Sequence, residues 1–407
     1  MSAEERLIRY CRIDTQSDES NEQETPSTRK QFDLAEVLLQ ELKELGLADA
    51  ALDEHCYIYA HLPANTGRPC RTVGFIAHMD TAPDYSGTGV SPRIIRGFDG
   101  GDIALNPEVT MHMQDFPWMR QLKGKDLIVT DGTTLLGADD KAGITCIMEA
   151  LSWWRCHPEA EHGTVAVAFT PDEEIGCGTR YFDLKKFGAD FAYTMDGGQV
   201  SELSDETFNA ASAKVSVQGF SIHPGEAKDR MINAASVAAR IHSSLPDAKT
   251  PEHTSGHEGF LHLTGMSGNV EHAELTYILR DHDVARLEQQ KQLLQAAVDY
   301  ANLAAGTAAA SVEFTDGYRN MKEVLEQHPE ASAIAAQAMK ELGITPAHEP
   351  IRGGTDGAEL SFRGLPCPNL GAGGGNFHGR YEYCVIQELE QASEVVRRIA
   401  EIVSREA

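Results

Sequence analysis

Five short segments carry the side chains of this chain best suited to chemistry. TLLGADDKAG at 134–143 places Asp139 and Asp140 on a glycine-bordered turn ahead of an apolar helical run, Ile144 to Trp154. FIAHMDTAP at 75–83 carries His78 and Asp80, AFTPDEEIG at 168–176 carries Glu173 and Glu174, and YTMDGG at 193–198 carries Asp196. GGGNFHG at 373–379 offers His378 in a glycine-rich loop. Alone, each reads as a solvated acidic turn or a capped strand end. Together they supply two imidazoles and several carboxylates, the donor set of a carboxylate-bridged pair of divalent metals.

Roles follow from spacing. His78 and Asp80 are two apart in an extended segment and share a face, so Asp80 can accept the second ring proton of a ligating His78. Glu173 and Glu174 are neighbours whose side chains diverge in extended backbone. One can bind metal while the other takes a proton from the attacking water. Asp140 is expected to bridge, with one oxygen for each metal, and Asp196 and His378 to complete three protein ligands per metal. Asp139 is expected to support the site structurally. His223 in SIHPG can reach over a substrate carbonyl or cap the turn before Pro224; the sequence leaves both open. Arg280 in TYILRD and Arg352 in IRGGTDG are candidates for gripping a carboxylate, with exposed ion pairing as the alternative.

The elements that must position these groups are legible in outline. Val73 to Ala77, Val165 to Thr170 and Phe191 to Met195 are short apolar strand candidates with their polar residues at the C-terminal end, where ligands gather in an open α/β sheet. Phe32 to Leu45 reads as an amphipathic helix and Tyr57 to Leu62 as a strand. Asp84 to Gly124 is rich in Gly, Pro and Asp and shows no clear period. After Phe208 the pattern changes to β-α-β-β-α-β: a strand at Ala211 to Gln218, a helix at Met231 to Ser244, strands at Phe260 to Thr264 and Glu271 to Arg280, a helix at Ala285 to Ala304 and a strand at Ser311 to Thr315. This is the split βαβ, ferredoxin-like arrangement. A helix at Glu330 to Leu342 and the His378 loop then rejoin the earlier pattern. The expected architecture is an α/β catalytic domain, 1–207 and 321–407, with an inserted α+β lid, 208–320.

Composition bounds the function. A chain of 407 residues suggests two domains. No run of about 18 apolar residues exists to span a bilayer. A net charge of −27 argues against a nucleic-acid backbone as partner. The eight cysteines (11, 56, 70, 146, 156, 177, 367 and 384) form no CxxC pair and are expected as free thiols of a reducing compartment. The charged N-terminus lacks a hydrophobic signal core, so a cytoplasmic location is expected. His253, His257, His262, His272 and His282 crowd one region without matching carboxylates, and His257-Glu258…His262 misses HExxH by one residue.

HMDTAP, TLLGADDKAG, FTPDEEIG, MDGG, HPG, IRGGTDGAELSF and NFHG occur in this order over nearly the whole chain. Jointly they resemble the M20 metallopeptidase family, and within it the tripeptide aminopeptidases. The resemblance implies two Zn2+ per subunit, one held by His78, Asp140 and Asp196, the other by Asp140, Glu174 and His378. It implies Glu173 as general base, Asp80 as support for His78, and a cis peptide after the bridging aspartate, at Asp140–Lys141. His223 and Arg280 would be lid residues that close over substrate, and Arg352 a residue at the substrate end. The implied substrates are small peptides, tripeptides above all, losing their N-terminal residue; a homo-oligomer is allowed. GGGNFHGRYEY departs from the GGYNYHGKHEF-like ending expected, which bears on substrate preference and leaves the ligand His in place.

Overall fold

Buried strands and one-sided helices organise the chain in a computed structural model, which describes residues 1–405. Two compact units emerge. The first comprises Met1–Asp205, Met321–Glu349 and the chain from Thr355 onward; the second comprises Glu206–Asn320 and Pro350–Gly354.

The first unit is built on an eight-stranded mixed sheet. Its order is Ala51–Leu52, Ile58–Leu62, Val165–Thr170, Val73–His78, Phe191–Gly197, Asn369–Gly371, Glu202–Ser204, Ala347–His348. The two central strands are buried along their whole length, as near-continuous apolar runs in a doubly covered parallel sheet should be. Register aligns their ends: His78 lies opposite Thr170, and Ile76 opposite Thr194. The polar tails after Ala77, Thr170 and Met195 therefore open on one edge. Helices Ala138–Cys156, Ile386–Arg405 and Pro329–Glu341 contribute Ile147, Leu151, Val395, Ile399, Ile334 and Ala338 to the core on this sheet. No helix among the described residues is long and apolar enough to cross a membrane.

The aperiodic stretch after Asp84 is more ordered than its sequence suggests. Arg93–Ile95 joins a small sheet with Leu127–Val129, Tyr383–Val385 and Gly374–Gly375, and Ile103–Ala104 pairs with Thr110–Met111. Phe98, Ile103, Met111, Met119 and Leu122 form a separate apolar cluster with Tyr383 and Val385. Strands of two or three residues are too short to show a period, which is why the sequence reads as loop.

The second unit is a four-stranded antiparallel sheet, Phe260–Gly268, His272–Asp281, Asn209–Gln218, Ala310–Asp316, carrying helices Ala234–Ser243 and Val284–Ala305. Ala211, Ala213, Val215 and Val217 point inward onto Val237, Ile241, Leu294 and Val298. Helix starts are capped by Asn233 and Asp283, whose side chains accept from backbone N–H groups of the first turn. Residues 350–354, assigned from sequence to the catalytic domain, fall in this unit. The cause is local: Thr207 and Ile351 form a parallel bridge, Phe208 N donates to Ile351 O, and Arg352 holds the 254–258 loop.

Candidate metal centre

His78 closes a buried strand with its ring pinned at both nitrogens. Nδ1 faces Asp80, at 3.1 Å from the main-chain oxygen and 3.3 Å from Oδ1. Nε2 lies 2.9 Å from Asp139 Oδ1 and 3.5 Å from Asp196 Oδ1. His378 repeats the pattern from the other side. Its Nδ1 is 3.4 Å from Asp84 Oδ2, and its Nε2 is 3.0 Å from Glu174 Oε2 and 3.4 Å from Asp139 Oδ2. An acid behind one ring nitrogen, with the other turned toward a cluster of carboxylates, is how ligating imidazoles are held. Glu173 reaches the same cluster, with Oε2 4.0 Å from His78 Nε2. The atoms of His78, Glu173 and Asp196, and those of His78, Asp139 and Glu174, are mutually close enough to share a cation.

The structure corrects one assignment. The carboxylate facing both imidazoles, one oxygen to each, is Asp139 and not Asp140. Asp140 is buried and its oxygens are already engaged: Oδ2 accepts from His78 N at 3.2 Å and Oδ1 from Gly143 N at 3.0 Å. Both aspartates have non-helical backbone, so the regular helix begins after them and Asp140 caps it through the N–H three residues on. Gly143 is required there, because a Cβ would sit 2.2 Å from Met195 O and 2.4 Å from Asp140 Oδ1. The cis peptide is correspondingly Asp139–Asp140, one bond earlier than Asp140–Lys141.

Buried acids hold the loops that deliver these groups. Asp80, fully buried, accepts from Glu173 N at 3.0 Å and Glu174 N at 3.2 Å, so it orders the acidic turn as well as His78. Asp172 sits at φ 55° and accepts from Ser27 N, Ser27 Oγ and Gln31 Nε2 at 2.6–2.7 Å, tying the turn to the N-terminal region. Lys141 buries its chain and donates from Nζ to Ile13 O at 2.7 Å. Glu382 accepts three backbone N–H groups of the Asp139 loop. Asp172, Lys141 and Glu382 were not singled out from sequence. Asp172 and Lys141 lie inside recognised motifs, and the Asp140–Gly143 cap spacing was readable; nothing local marks Glu382.

The electrostatics fit a cation pair. Burial and the Asp139 charge push Glu174 up to about 8, and burial and Asp139 push Asp196 to about 6. Burial and Asp196 raise Glu173 well above its ordinary value. Hydrogen bonds donated by His378 to Asp139 and Glu174 raise its imidazole to about 11 against burial. Asp139 is the exception: burial would raise it, but hydrogen bonds from His378 and His78 hold it below the carboxylate range. Four carboxylates around two imidazoles are too much negative charge to bury without protons or a cation. Glu174 Oε1, buried without a hydrogen-bond partner, is an acceptor left for such a cation.

The other candidate substrate residues lie in the second unit. His223 is exposed, and its Nδ1 accepts from Gly225 N at 3.2 Å, capping the turn at Pro224. Arg280 donates from Nε to Tyr318 Oη at 2.9 Å and from Nη1 to Ala211 O and Leu279 O. Arg352 is engaged within its own unit. Both Nη atoms bond the 254–258 loop, at Gly256 O and Glu258 O (2.7 Å each) and Thr254, and the guanidinium lies over Phe208 and Phe260.

The pattern of peptidase family M20/M25/M40 matches residues 129–402. Peptidase T of Alkaliphilus oremlandii is 51% identical over 405 residues, covering 98% of this chain and 99% of its own. Peptidase T of Lysinibacillus sphaericus is 51% identical over 403 residues, covering 99% and 98%. Among solved structures, aminopeptidase PepT of Bacillus cereus superposes with a TM-score of 0.77 at 23% identity, covering 98% of each chain. A dinuclear metal-binding M20 peptidase of Bacillus subtilis superposes at 0.64 and 15% identity, covering 100% and 99%. The chain belongs to peptidase family M20/M25/M40, and its full-length likeness within that family is to peptidase T.

Proposed function

We propose that the protein is a dinuclear metal-dependent aminopeptidase that releases the N-terminal residue of tripeptides. The observation that carries the metal reading is Asp139 with one oxygen toward each imidazole, and Glu173 beside it. His78, Asp139 and Asp196 would hold one cation, and Asp139, Glu174 and His378 the other. Zinc suits two nitrogen and several oxygen donors. The tripeptide specificity rests on the half-identical peptidase T relatives.

When bound, the metal pair supplies Lewis acidity, making water more acidic and the scissile carbonyl more electrophilic. The protein's own part centres on Glu173. Its Oε2 takes the proton as water attacks the first peptide carbonyl, and gives it to the leaving amine as the C–N bond breaks. In the metal-free site, burial and the Asp196 charge raise the Glu173 carboxyl well above its ordinary value. Asp80 keeps that carboxylate aimed by holding the Glu173 N–H. His223 and Arg280 are the substrate-binding candidates of this reading.

Glu173→Gln tests the base. With both metals bound, turnover is expected to fall about 10²–10⁴-fold with little change in metal content. Near-normal turnover of the metal-loaded variant would remove Glu173 from this role.

A further inference from the structure

Glu382 stands four residues after His378 and is 1% exposed. Its Oε2 accepts from Leu136 N at 2.7 Å and Gly137 N at 2.8 Å, and its Oε1 from Asp139 N at 3.1 Å. The 136–139 backbone is shaped for this. Gly137 is left-handed at φ 79° and Asp139 is non-helical, so successive N–H groups turn inward as an anion-binding nest. The anion in the nest belongs to the protein. Glu382 N also donates to Gly379 O at 3.2 Å, closing the turn that carries His378. The two loops leave one ladder, in which Tyr383 pairs with Val129 and Val385 with Leu127. Glu382 thus joins the loop bearing the bridging carboxylate to the loop bearing the second imidazole.

We propose that Glu382 is a positioning residue that fixes Asp139 and His378 relative to each other, and so sets affinity for the cation between Asp139, Glu174 and His378. The proposal rests on the dinuclear reading above. None of the hydrogen bonds made by its carboxylate is to an imidazole or to a metal-facing oxygen, so it acts through the Asp139 backbone. The other cation keeps His78 and Asp196, which Glu382 does not touch.

Glu382→Gln is the test, because glutamine has the same shape but must turn an NH2 group toward backbone donors. Zinc would be titrated into metal-free protein against a chromophoric chelator, alongside thermal melts in excess chelator and kcat and KM on a tripeptide. In the variant the first equivalent is expected near wild type and the second about 10–100-fold weaker. The kcat at limiting zinc should fall and recover in excess zinc, with KM steady and the chelated melt close to wild type. Second-equivalent affinity within about two-fold of wild type would overturn the proposal. So would parallel loss of both equivalents with a lowered chelated melt that zinc does not restore, the mark of a merely structural role. If Glu382→Gln does not fold, Glu382→Asp keeps the charge but retracts it, and the same selective loss is expected. Wild-type protein that takes fewer than two equivalents would instead refute the dinuclear reading itself.

Discussion

Asp139 and Asp140 are adjacent, equally acidic and both placed at the head of one helix, yet they do different work. Asp139 faces the imidazoles, while Asp140 joins the backbone of the His78 strand to the first turn of the helix. Exchanging each for asparagine separates the roles. Asp139→Asn is expected to lose tight binding of both metal equivalents, because the shared oxygen pair is gone. Asp140→Asn keeps one acceptor oxygen; it is expected to bind two equivalents and lose about 1–3 kcal/mol of stability, from a buried N–H left facing an amide. Metal analysis after dialysis and denaturant melts read both. The reverse pattern, metal lost only in Asp140→Asn, would return the bridge to Asp140. Residue types were readable from sequence here and their division was not, because which carboxylate turns inward depends on where the helix begins.

At the scale of elements, the legible parts were those with a period. The fully buried Val73–His78 and Val165–Thr170 strands, apolar up to their last residue, announce a parallel sheet, and the polar residues at their ends announce the site. The alternation of Ala211, Ala213, Val215 and Val217 likewise marks a strand with one buried face. Two kinds of element were not legible. The short strands between 93 and 129 derive their order from Tyr383 and Val385, more than 250 residues away. The partners of Arg352, carbonyls of the 254–258 loop, were not legible because a guanidinium's partners leave no trace in its own motif. Long-range pairings of this kind also explain why Glu382 escaped notice.

The whole molecule carries a net charge of −27, and its first unit gathers Asp139, Glu173, Glu174 and Asp196 around His78 and His378. This has a consequence for stability against pH. Carboxylates ordinarily titrate near about 4, yet in the fold Glu174 is raised to about 8 and Asp196 to about 6, and His378 is raised to about 11. Between pH 5 and 8, roughly the span between ordinary and raised values, the metal-free fold holds more protons than the unfolded chain, so its stability falls as pH rises. Asp139, shifted down, acts in the opposite sense but only below that window. Melts in excess chelator are therefore expected to drop from pH 5 to pH 8, and zinc to restore most of the loss at pH 8 because it binds the folded state. A chelated protein that gains stability over this range would contradict the charge arrangement described.

The most direct test of the account is product identification by mass spectrometry, using zinc-loaded protein and one unblocked tripeptide of three different residues. The account predicts the free first residue and an intact C-terminal dipeptide, abolished by chelator and restored by zinc. Release of the last residue, or no cleavage by protein carrying two metals, would contradict it.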